Sequence, residues 1–136
     1  MAEAPSAADV IWDRFCDPDA PTTYPGDAAM VAVLLCHGMA MNGGLLQACE
    51  ALEPDQRAAA VAGFRLLGLD DAAEAVAEVA RRADALAGDL GEAGEQLEEE
   101  ADRLYRAALA EGDETIDRAF RSHLERNPEA YAPIGG

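Results

Sequence analysis

The chain has 136 residues, half of them apolar, and its twenty-seven acidic side chains against ten basic ones give a formal net charge of −17. Half-apolar composition excludes an acidic disordered tail. A surface this negative repels nucleic acid and anionic membranes and attracts basic partners. All ten basic residues are arginine. A chain of this length buries roughly two-thirds of its unfolded surface as one unit, so residues 1–136 read as a single acidic helical domain, frayed over 1–5.

Three cysteines, Cys16, Cys36 and Cys49, form an odd set without a CxxC pair, which excludes a disulfide framework and leaves reduced thiols. The opening MAEAPSAADV has an acid and no basic region ahead of an apolar run, so no secretory signal is expected and the cytoplasm is the default compartment.

In chain order, Ser6 and Asp9 have the spacing of a capping box and open a short helix through Val10, Ile11 and Phe15. The proline-rich stretch 17–27 is a loop, and Asp27 or the Pro25 turn starts the next helix. Residues 28–41 carry no formal charge with His37 neutral, and they are apolar at almost every position. A helix apolar all round is buried all round, so this is the predicted central helix. Its fourteen residues fall short of the roughly 20 that a bilayer needs.

Asn42-Gly43-Gly44 tolerates left-handed backbone and turns the chain into a second apolar segment at 45–52. Pro54 suits the first turn of a fourth helix, with Val61, Phe64 and Leu67 on one face. Gly68 closes it and Asp70 caps the fifth helix, which shows the stripe Ala72, Val76, Val79, Ala83 and Leu86. Gly88, Gly91 and Gly94 loosen the chain before a sixth helix with Leu97, Ala101, Leu104 and Ala108. Gly112-Asp113 leads into a seventh, with Ile116, Phe120 and Leu124 inward, and Asn127-Pro128 ends it. Tyr131 packs the tail back. No alternation of period two occurs, so the fold class is all-α, a compact bundle of about seven helices around a buried central helix with a Gly-Gly corner.

Candidate chemistry is sparse. Cys36 and His37 are adjacent on a helix and point about 100° apart, so they do not pair as nucleophile and base, and Cys36 reads as structural. His37 and Met41 lack a third metal ligand, and His123 stands alone on a surface helix, so no metal site, cofactor or catalytic residue is expected. Asn42 and Gln47 are placed to hydrogen-bond backbone groups around the corner.

The run EAGEQLEEEADR at 92–103 is different. Six carboxylates fall on about 15 Å of helix axis, one per roughly 2.5–3 Å against about 1.7 Å in duplex DNA. Glu95, Glu98, Glu99 and Asp102 share a face through spacings of three and four. Glu99 with Arg103, Asp102 with Arg106, Glu114 with Arg118 and Asp117 with Arg121 stand at i,i+4 and can neutralise part of this charge.

The corner from Met41 to Gln47, Asn-Gly-Gly followed by Gln three residues on, resembles the NGG-aromatic-x-Q element of a bacterial all-helical family named after DNA mimic protein nineteen. The likeness continues through 63–72, Leu104-Tyr105 and 120–131, and so covers roughly 24–132. Leu45, Leu46, Ala48 and Cys49 stand where the family commonly has aromatic residues. The resemblance implies an all-α fold, a tendency to form homodimers, and no established enzymatic activity. It makes Asn42, Gly43, Gly44 and Gln47 family-element residues with a structural role. The family's named member is a DNA mimic that occupies the DNA-binding face of a transcription factor.

Charge and resemblance together give the leading expectation, a non-enzymatic acidic protein whose face at Glu95, Glu98, Glu99 and Asp102 binds a basic protein such as a DNA-binding regulator. The alternatives are an immunity- or antitoxin-like inhibitor of a basic toxin, and a small-molecule site at the Asn42–Gln47 corner with Cys36 or His37.

Overall fold

The computed structural model describes residues 7–15, 23–86 and 91–133. The expected cap at Ser6, most of the 17–27 loop, Cys16 and Gly88 lie outside them. Seven α-helices follow one another: α1 Ala7–Phe15, α2 Pro25–Gly43, α3 Leu45–Ala51, α4 Pro54–Leu66, α5 Asp70–Leu86, α6 Glu92–Ala108 and α7 Asp113–Arg126. A short 3-10 turn, Pro128–Ala130, ends the described chain, and the described residues contain no strand.

Pro25 opens α2 where its missing N–H has no helical partner to lose, and the first turn closes with Ala28 N–H donating to Tyr24 O at 2.9 Å. Met30, Val33 and Cys36 are fully enclosed, and α2 packs mainly on α4 and α3. Its crossing with α4 is a backbone approach. A Cβ at Gly63 would stand 2.7 Å from Ala29 O.

The expectation that α2 is buried all round is corrected by its other side. Met41 is 65% exposed, Gly38 is exposed, and Val31, Leu34, Leu35 and Met39 are half-buried. Among the described residues, α3 and α4 take one side of α2, and α1 borders the other. No helix of the described residues is long and apolar enough to cross a membrane.

A part-buried ion pair joins α1 to α2 and holds the backbone at residue 132 against them. Asp27, 1% exposed, accepts from Arg14 Nη2 at 2.7 Å and from the Ala132 backbone N–H at 2.9 Å. Asp27 is therefore a buried anchor inside α2, and Pro25 is the residue that starts the helix. Beside it, Phe15, Phe120 and Tyr131 meet edge to face or tilted, with centroids 5.4–6.3 Å apart. Gly26 leaves room for the Tyr131 ring, which a Cβ would meet at 2.6 Å.

Two boundaries and one helix face differ in detail. Asp70 lies in the first turn of α5, not ahead of it, while Gly68 at φ 78° ends α4 with Leu69 N–H donating to Phe64 O at 2.8 Å and Gly68 N–H to Arg65 O at 3.0 Å, a Schellman closure. Gly94 sits inside α6 and is buried. The inward face of α6 runs Gly94, Leu97, Ala101, Tyr105, so Leu104 turns outward at 38% exposed.

Candidate functional site: an acidic helix flank and a glycine corner

Helix α6 begins after Gly91 with Glu92 and Glu95 in its first turn, where carboxylates complement the helix dipole. Farther along, the acids divide by neighbour. Glu100 faces α5 and accepts from Arg82 Nη1 at 2.9 Å, and that hydrogen bond holds its carboxyl below the usual range. Glu95, Glu98 and Glu99 point away from the core, are exposed, and form no ion pair with another described residue. They form an exposed row on one flank.

Asp102, the fourth residue of the expected face, is half-buried and turned toward the corner. Its Oδ1 accepts the Leu45 backbone N–H at 3.3 Å, satisfying a donor at the first turn of α3. Of the four expected i,i+4 pairs, Asp117–Arg121 forms at 3.0 Å. Arg118 pairs with Glu111 instead of Glu114, and Asp102 and Glu99 leave Arg106 and Arg103 unpaired within α6.

The corner works through its glycines. Gly44 has φ 93° and ψ 159°, a region essentially restricted to glycine, and a Cβ there would stand 3.0 Å from Asp102 Oδ1. Gly43 is the last residue of α2, and its face is covered by the Gln47 amide, whose Oε1 a Cβ would overlap. Asn42 and Gln47 are exposed and make no hydrogen bond to the corner backbone. That expectation is corrected: the carboxylate of Asp102, on a different helix, supplies the contact.

His37 is 5% exposed, and no local pattern points to its partners. Tyr105 Oη lies 2.7 Å from Nδ1 and Asp113 Oδ1 lies 2.5 Å from Nε2. Burial holds the Tyr105 hydroxyl proton firmly, and the Asp113 carboxylate accepts from Nε2–H. The imidazole thus links α2, α6 and the start of α7. Cys36 is fully enclosed, and burial first, then Cys49, pushes its thiol up to about 12. A thiol held protonated in this way is a packing group. His123 is also buried, not on the surface as expected, and its Nδ1 lies 2.9 Å from Tyr131 Oη.

A groove of about 740 Å³ runs along the open side of α2, lined by Val31, Leu34, Leu35, Met41 and Asn42 and bordered by Trp12 and Phe15 of α1. His37 reaches it, whereas Gln47 is not part of its lining. The described residues hold no group of three or more His, Cys, Asp or Glu that could bind a metal ion.

A family model described as DMP19-like protein matches residues 24–132. The match spans α2 to the 3-10 turn and leaves out α1. No curated protein and no solved structure matches the chain.

Proposed function

We propose, from the premise that the chain belongs to the DMP19-like family, that it is a non-enzymatic acidic protein that occupies the DNA-binding surface of a basic protein such as a transcription regulator. The observation that supports this reading best is the row Glu95, Glu98 and Glu99, exposed on a well-packed helix and without an ion pair to another described residue. Carboxylates three and four apart on a helix repel each other by a few tenths of a kcal/mol per pair. A surface of arginine and lysine that normally grips phosphates would relieve that repulsion and supply the missing partners. The net charge of −17 adds long-range attraction to the same partner and opposes direct binding to DNA or RNA.

Binding of this kind is fast, strongly weakened by salt, and lost when the exposed row is neutralised. The test is capture from the native cell lysate on immobilised protein, washed at low and high salt, beside a Glu95→Gln/Glu98→Gln/Glu99→Gln variant. Basic DNA-binding proteins held at low salt by the wild type, released at high salt and absent from the variant are the expected result. Equal capture by the variant would remove this flank from the account. A single basic toxin held at both salt concentrations would favour an immunity-type inhibitor instead.

A further inference from the structure

The open side of α2 has no part in the acidic-flank reading. Its exposed stripe runs from Val31 to Asn42, eleven residue steps or about 16 Å of helix axis, the length of three turns of a second helix. The floor is aliphatic, and Trp12 of α1 stands at the edge.

Gly38 lies in the middle of this stripe and is exposed, and no atom of the described residues stands within 4 Å of the place its Cβ would take. Glycine weakens a helix interior. Gly26 and Gly63 are explained by groups of this chain that a Cβ would strike, whereas nothing among the described residues accounts for Gly38. A bare backbone at the centre of a groove lets another backbone approach closely.

The rim defines the visitor's charge. A second hollow adjoins the groove, sharing Trp12 and Asp113 with it, and is walled by Asp9, Asp13, Glu114 and Asp117. Its base is Arg121, already paired with Asp9 and Asp117. A second copy of this chain, docking by two-fold symmetry, would lay this acidic rim against itself.

We propose that the groove between α1, α2 and the start of α7 receives an amphipathic helix of a partner protein, about three turns long, apolar on one side and bearing arginine or lysine along its edges. The apolar side lies over Val31, Leu34 and Leu35, the helix backbone passes closest at Gly38, and the basic edge meets the Asp113 rim. This surface is separate from the Glu95–Glu99 row and stands or falls independently of it.

Trp12 is the one tryptophan of the chain, so its emission reports occupancy of the groove. The probe is a synthetic leucine–lysine peptide of about fifteen residues with leucine at helical spacing, compared with the same composition in scrambled order. The patterned peptide should shift Trp12 emission saturably, and the scrambled one should bind at least about tenfold more weakly. Gly38→Gln should weaken the patterned peptide about tenfold and Gly38→Ala by less, while both raise the melting temperature or leave it unchanged. The Glu95/Glu98/Glu99 glutamine variant should bind within about twofold of wild type. Equal binding of both peptides, or wild-type binding by Gly38→Gln, would overturn the proposal. So would sedimentation showing a wild-type dimer that Gly38→Gln converts to monomer, since the face would then belong to a second copy.

Discussion

The carboxylate of Asp102 on α6 receives the backbone N–H of Leu45 at 3.3 Å, at the point where Gly44 turns the chain from α2 into α3. One residue of the acidic ladder therefore holds the corner, and its neighbours do not. The two roles separate by mutation. Asp102→Ala leaves a first-turn donor of α3 without its acceptor and should cost about 0.5–2 kcal/mol, the range for losing a helix cap. Glutamine at Glu95, Glu98 and Glu99 removes like-charge repulsion from exposed sites and should change stability by less than about 0.5 kcal/mol. Urea denaturation of the two variants checks both values.

The adjacent glycines of the corner are predicted to behave differently. At Gly44 an alanine must enter a glycine-only region, so Gly44→Ala should cost about 1–3 kcal/mol. At Gly43 the backbone is helical and the obstacle is the far end of the Gln47 side chain, which can swing away. Gly43→Ala should therefore lie within about 0.5 kcal/mol of wild type. Equal losses at the two positions would show that Gln47 is fixed against Gly43 by more than contact.

Helical periodicity made the elements of this fold legible. Ala72, Val76 and Val79 on α5 and Ile116 and Phe120 on α7 are buried where the spacing puts them, and Gly68 ends α4, while Ala83, Leu86 and Leu124 are half-buried and Gly112 caps the start of α7. Contacts between distant residues were not legible. Asp102 reaches Leu45, His37 reaches Tyr105 and Asp113, and Arg14 reaches Asp27, each across separations that no local pattern encodes. Uniform apolarity also misled for α2: composition cannot say how many neighbours a helix finds, and the described helices leave one side of it open. Leu104 shows the same limit on a smaller scale, because a stripe stepping by three and four can drift to either side, and Tyr105 took the inward place. The exposure of Glu95, Glu98 and Glu99 was legible from their spacing, but the same spacing included Asp102, which the structure turns toward the Leu45 N–H.

Asp27 provides the most sensitive point in the core. Its carboxylate is enclosed and is neutralised by Arg14, which is partly exposed. Arg14→Met keeps the aliphatic packing but leaves a buried charge without its partner, and should cost about 3–5 kcal/mol. The double variant Arg14→Met/Asp27→Asn should recover part of that loss, since the remaining amide oxygen can still accept from the Ala132 N–H. Thermal unfolding of the two variants side by side measures the recovery, and no recovery would mean that the Arg14 contact to Ala132 O outweighs the ion pair.

His123 should make the fold sensitive to mild acid. Burial, followed by the nearby Arg126, lowers its pKa below the ordinary value of about 6.5. Tyr131, whose own proton is held firmly by burial, donates to the neutral ring at Nδ1. With the folded pKa lowered, the unfolded chain binds the proton first as pH falls. The contribution is complete above about pH 6.5 and is lost as pH drops toward the lowered value. Unfolding free energy measured between about pH 7.5 and pH 5.5 should therefore fall in the wild type. His123→Gln keeps a polar group near Tyr131 but cannot titrate, so its curve should be flatter over that window. Parallel curves would assign the acid sensitivity to other groups and leave His123 as a packing residue alone.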